Sequence, residues 1–150
     1  MFNFPILTAV DLGAVLPEFQ GFLGDLRFYL GLFLLIGPLV MLVLGAWMFF
    51  KPIKTPTYKA GYRTYFGMGS KGAWRFTQWL AGLVWGGLGA LLTVVMIIVC
   101  IVLSSMDMDG ATSASITWLI VEAAAAFAAF IAVEAVVALR FDKDGHQRKR

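Results

Sequence analysis

Two carboxylates inside an otherwise apolar run are the residues best placed to do chemistry. Glu122 and Glu134 lie in the alanine-rich stretch from about 116 to 139, which carries no other charge. A charged side chain at mid-membrane costs roughly 3 kcal/mol or more, so such a group is a candidate for ion or proton handling. The ordinary alternative is a carboxyl group that hydrogen-bonds a neighbouring hydroxyl or backbone group, or one that burial keeps protonated. Each glutamate stands about six residues from an end of its run, or roughly 9 Å at 1.5 Å per residue. Their spacing turns them about 120° apart on a helix of 3.6 residues per turn. They are therefore not a paired carboxylate site.

A second concentration of functional side chains fills the segment 51–75. Lys51, Lys54, Lys59, Arg63, Lys71 and Arg75 occur there without one acid. Within it stand Gly61-Tyr62-Arg63-Thr64, then Ser70, then Trp74. Glycine permits a turn or a close approach, and tyrosine suits an interface with its hydroxyl in water. Arg63 can bind a lipid phosphate, an acid on a partner, or Glu134, whose depth it shares; a guanidinium suits bidentate carboxylate binding. The plainer explanation is an interfacial Tyr-Arg anchor after the turn at Pro52 and Pro56. Ser70 and Trp74 likewise read as a helix N-cap and an interfacial tryptophan.

No catalytic pattern competes with these features. There is no His-Glu zinc box, nucleophile elbow or phosphate loop. Gly67-Met68-Gly69 lacks the lysine and hydroxyl spacing of a phosphate loop, and the adjacent Ser70 and Lys71 do not face each other on a helix. The lone His146 sits in a charged tail and cannot build a four-ligand zinc site. The single Cys100 lies in an apolar run and reads as a small hydrophobe. Neither an enzyme, a metal nor a cofactor is expected.

The elements that carry these residues follow from hydropathy. The 150 residues are 60% hydrophobic and 14% charged, whereas a soluble domain is about half apolar and about a quarter charged. The chain therefore reads as an all-α integral membrane protein. Three runs reach the roughly 20 residues needed to cross a bilayer: about 28–50, 76–103 and 116–139. Phe76 and Trp79 suit the boundary of the second, and Pro38 beside Gly37 can kink the first.

Cations near span ends stay cytoplasmic. The loop 51–75 and the tail 141–150 are basic, with Arg140 at the end of the last span, and are assigned inside. Asp107 and Asp109 place the connection 104–115 outside. Asp11, Glu18 and Asp25 against Arg27 do the same for the N-terminal region. All four assignments agree with three crossings, N-terminus outside and C-terminus inside. Cations that serve topology leave no case for nucleic-acid binding. Residues 1–27 lack a basic start, so they are no ordinary secretory signal. Leu12, Val15, Leu16, Phe19, Phe22, Leu23 and Leu26 recur at helical spacing, and Pro17 can begin a second short helix. This region reads as one or two short amphipathic helices on lipid or on a partner. The transmembrane domain is then 28–140. Gly82, Gly86, Gly89 and the alanines of the third span favour close packing of spans two and three. The same small-residue faces leave a homo-oligomer open.

The order Gly61-Tyr62-Arg63-Thr64, Ser70, Trp74 ahead of a glycine-containing membrane helix resembles the SdpI family of small bacterial membrane proteins. The resemblance covers about residues 45–140. Typical members carry an asparagine shortly after the tryptophan, where this chain has Thr77-Gln78. Longer members also carry further membrane helices ahead of this unit. The resemblance implies a multi-pass protein of the bacterial plasma membrane, a cytoplasmic motif loop, and a non-enzymatic role in immunity or signalling through a membrane or cytoplasmic protein partner. Tyr62 and Arg63 would then dock the partner or shape the loop, and Trp74 would anchor the loop to the second span. A small transporter or channel, with Glu122 and Glu134 as its responsive groups, or an accessory subunit of a larger complex, is the alternative.

Overall fold

Each apolar run forms a helix, and each helix is longer than its run. The computed structural model describes residues 12–56 and 60–148, with the backbone alone for residues 12–20 and 22–25. The order is α1 (Leu12–Phe50), α2 (Lys71–Ser104) and α3 (Met108–Arg140). All three are long and apolar enough to cross a membrane, where a backbone must satisfy its own hydrogen bonds. Large apolar side chains such as Val43, Ile98, Ile101, Ile120 and Phe127 are exposed around the bundle. An exposed apolar belt of this extent belongs in lipid. The chain is an all-α multi-pass membrane protein.

The helix starts depart from the expected boundaries. Residues 12–27 are helical and continuous with the first span in α1, which runs unbroken to Phe50. The helical spacing of the apolar residues continues into the first span. Residues 1–11 lie outside the described residues. α2 begins at Lys71 rather than about 76, because Ser70 is extended (φ −149°, ψ 162°) and its hydroxyl accepts the Ala73 N–H. α3 begins at Met108 rather than about 116, which shortens the connection between the second and third spans to 105–107. The hydroxyls of Thr112, Ser115 and Thr117 donate to the carbonyls of Met108, Ala111 and Ser113, so polar side chains are absorbed into helix. Asp109 in the first turn suits the positive end of the helix dipole.

Gly82, Gly86 and Gly89 of α2 face α1 and not α3, contrary to the expected close pairing of spans two and three. A Cβ at Gly45 would strike the Gly86 backbone, one at Gly89 would strike Leu42, and one at Gly82 would lie 2.6 Å from the Phe49 nitrogen. At the far end, a Cβ at Gly31 would come within 2.9 Å of the Cys100 sulfur. Each step along α1 is matched by an equal step back along α2, so the two helices run antiparallel with their backbones nearly touching. Glycine on both partners is what permits this approach. This is the principal interface, and α3 lies more lightly against both.

Side chains fill the two ends of the bundle. Leu34, Met96, Val99, Leu103 and Ala111 form one cluster. Ala73, Ala81, Val133, Val137 and Phe141 form the other. At the first of these ends Arg27 donates to the Met106 carbonyl between α2 and α3. The basic tail is folded back rather than extended. Phe141 bridges Gln147 in antiparallel fashion, Arg148 N–H donates to the Arg140 carbonyl 3.0 Å away, and Gly145 makes the turn with φ +73°. Lys149 and Arg150 lie outside the described residues, as does Lys59.

These contacts separate Gly45 of α1 from Gly87 of α2. Gly45→Leu should destabilise the purified protein by several degrees or prevent its folding, since overpacking a close interface costs about 1–3 kcal/mol or more. Gly87→Leu should leave the melting temperature nearly unchanged, because nothing lies within 4 Å of a Cβ there. Thermal melts in one detergent compare them.

Candidate functional site

Gln78 organises the end of the bundle that holds the loop. Its side chain is fully buried. The Tyr62 N–H donates to Gln78 Oε1 at 3.0 Å, and Gln78 Nε2 donates to the Tyr62 carbonyl at 2.7 Å. One amide thus satisfies both polar groups of one peptide-bonded residue, as a neighbouring strand would. The approach needs glycine beside it. Gly61 has φ +101°, and a Cβ there would lie 2.9 Å from the Trp74 ring and 3.0 Å from Gln78 Oε1.

The other loop residues complete a cap. Thr64 is buried and its hydroxyl accepts the Gly67 N–H at 2.8 Å. Ser70 accepts from Ala73 and donates to the Gly145 carbonyl at 2.8 Å, which joins the loop to the C-terminal turn. Trp74 is fully buried and donates its indole N–H to the Ile53 carbonyl at 2.7 Å. It is therefore not a lipid-facing interfacial tryptophan; its one donor is taken by the loop that covers it. Phe76 stacks near Phe141, with ring centroids 5.6 Å apart, and the Arg140 guanidinium sits 4.4 Å above its ring. Trp79, in contrast, remains exposed.

Tyr62 points inward from this cap. Its ring centroid lies 6.2 Å from that of Trp85 on α2 and 6.1 Å from that of Phe130 on α3. The Tyr62 hydroxyl, the Trp85 indole N–H and Glu134 Oε2 are all buried without a hydrogen-bond partner among the described residues. Burial pushes the Tyr62 pKa up to about 12. The nearby Trp85 N–H opposes the shift without reaching hydrogen-bond geometry, and the Glu134 charge adds to it. Unmatched polar atoms are uncommon inside proteins. Two donors and a carboxyl oxygen against aromatic walls are the groups that hold a water or a proton. None of them is an activated nucleophile.

The two glutamates occupy different places. Glu122 is buried among the helices, its Oε2 set against Gly37, where an added Cβ would approach within 3.0 Å, while Oε1 has no hydrogen-bond partner. Pro38 next to it is fully buried within an unbroken helix. Arg63 does not meet Glu134. Its side chain is exposed, and no salt bridge joins the two. Gln78 turns Tyr62 into the bundle, and Tyr62 takes the position beside Glu134 that sequence reasoning gave to Arg63.

Gln78 and Trp85 were missed as site residues from sequence. The signal for Gln78 was a lone amide in the second apolar run, four residues after Trp74. Trp85 had none beyond its type. At the C-terminal turn Asp142, Asp144 and His146 bring potential ligand atoms within 4.8 Å of one another. Asp142 Oδ1 already accepts the Asp144 and His146 N–H groups, which is ordinary turn chemistry. Comparison with known proteins finds no matching family model, curated protein or solved structure.

The raised Tyr62 pKa fixes a sign. Between pH 10 and about 12 the unfolded chain releases a proton that the folded protein retains, so stability falls as pH rises through that window. Tyr62→Phe should remove this part of the alkaline loss and also delete the phenolate absorbance that appears near pH 12. Ultraviolet titration and melts of both proteins across that range test it. Separately, Gln78→Met leaves the Tyr62 N–H and carbonyl unmatched and should cost on the order of 2 kcal/mol or more in chemical denaturation.

Proposed function

We propose that this chain is an SdpI-like protein of a bacterial plasma membrane that acts without catalysis, through a protein partner, in immunity or signalling. One observation carries the reading. Gly61, Tyr62, Thr64, Ser70 and Trp74 all turn inward to build the cap, while Arg63, in the middle of the same motif, is exposed. A charged side chain on a preorganised platform binds an acidic partner with less ordering cost than one on a loose loop. The exposed cations Lys51, Lys54, Lys71 and Arg75 share that end of the bundle. They favour a cytoplasmic cap, with Asp107 and Asp109 outside. The partner is a membrane or cytoplasmic protein with an acidic face.

Arg63→Ala should reduce recovery of the partner about tenfold or more when the tagged chain is purified from its host in mild detergent, the loss of about 1.4 kcal/mol or more expected for a truncated charge contact. Glu122→Gln should leave recovery unchanged. Mass spectrometry of both eluates reads the result, and equal recovery of every co-purifying protein with Arg63→Ala would sink the docking role.

A second reading, a small transporter or a subunit of one, draws on the unmatched buried oxygens of Glu122 and Glu134. It requires ion or proton flux in liposomes that Glu122→Gln or Glu134→Gln abolishes and Arg63→Ala preserves.

A further inference from the structure

We propose that the cleft between the end of α1 and the first turn of α2 is a binding site for the headgroup of an anionic phospholipid. The cleft has a volume of about 350 Å³ and is lined by Phe50, Lys51, Pro52, Ile53, Lys54 and Arg75. Half of that lining is cationic, and no acid contributes to it. Among the described residues none of the three cations is in a salt bridge, and all three are exposed. Three like charges converging on one concavity repel one another until an anion enters.

Helix electrostatics accounts for part of this arrangement and leaves the rest. Lys51 and Lys54 follow the C-terminus of α1, where cations are favourable. Arg75 lies at the opposite kind of end. The first turn of α2 contains no acid and begins with Lys71, although the helix dipole favours anions there. Lys71 is thus placed against the local field, and Arg75, one turn further on, has no helix-end charge to favour it; a bound anion would supply the missing counter-charge. The backbone of the cleft is held in place. The Lys51 N–H donates to the Trp47 carbonyl at 2.8 Å, and the Ile53 carbonyl accepts from Trp74. The lysines therefore spring from a rigid wall.

The position selects a lipid over a free anion. Phe50 is 77% exposed at the rim, where the apolar surface of α1 ends and the basic loop begins. Trp79, one turn beyond Arg75, is also exposed. A phosphodiester between the three cations leaves its acyl chains to run along Phe50 and the apolar face below it. Juxtamembrane basic pockets recognise anionic headgroups in this way. The proposal does not depend on the partner-docking role of Arg63, which lies outside the cleft lining.

The test uses the full-length protein in neutral detergent and native mass spectrometry. The probes are phosphatidylglycerol, phosphatidylcholine and inorganic phosphate. Wild type should retain phosphatidylglycerol selectively. Neutralising Lys51, Lys54 and Arg75 to Gln together should cost on the order of a hundredfold in phosphatidylglycerol affinity, about fivefold per cation. The same three neutralisations at Lys71, Lys143 and Arg148 should leave it within about twofold, since these cations do not line the cleft. Lys54→Gln alone, on an exposed loop, should show the single fivefold step if the triple variant does not fold. An equal loss in the control triple would reduce the effect to general surface charge and overturn the site. Competition by inorganic phosphate at the same concentration as the lipid would replace the lipid by a free anion. Equal retention of phosphatidylcholine would remove the charge recognition altogether.

Discussion

The capped end of the bundle depends on the contact between the Gln78 amide and the backbone of Tyr62. A buried amide must find partners for both its donor and its acceptor. Here one residue of the loop supplies both, at 2.7 and 3.0 Å. That requirement dictates the glycine at position 61, because only a residue without Cβ can pass between Trp74 and Gln78 with φ +101°. It also decides the neighbours. Tyr62 goes into the bundle toward Trp85, Phe130 and Glu134, and Arg63 is left outside. A motif that reads as a set of binding residues is thus largely a device for positioning one tyrosine inward and one arginine outward.

The glycine-to-glycine approach of α1 and α2 gives the bundle its asymmetry. Two helices whose backbones nearly touch at Gly45 and Gly86 form a close pair, and α3 packs more lightly on it through Ala111, Ala129, Val133 and Val137. Without a hydrophobic drive between helices in lipid, close packing of this kind is a main source of association. The consequence for Glu122 and Glu134 is that both sit on the more lightly held helix, one against α1 and one beneath the cap.

The cations of the capped end serve more than topology. Lys51 and Lys54 complement the end of α1, and Arg140 closes over Phe76, so these charges stabilise the local structure. Arg63 and Arg75 have no such internal role. One stands on the outer surface of the cap and the other just past the first turn of α2, which carries no acid. Charges that the fold itself does not use are the ones to assign to molecules outside the chain.

Composition and periodicity alone determined the class of this protein. Three runs of sufficient length and no competing strand pattern require three membrane helices, since lipid offers the backbone no other partners. Ser70 as a helix cap was equally legible, because capping is a local hydrogen bond between residues three apart. What the sequence left open was every decision that depends on distant residues. Gly82, Gly86 and Gly89 of α2 face α1 because their complement, Gly45, lies some forty residues away, and no local pattern reveals which helix supplies it. Trp74 reads as an interfacial aromatic until Ile53 takes its N–H and the loop covers it. Arg63 and Glu134 share a depth and opposite charge, yet depth and charge do not specify direction. Tertiary packing chose Tyr62 for that place, because the buried amide of Gln78 could be satisfied only by turning the loop that way.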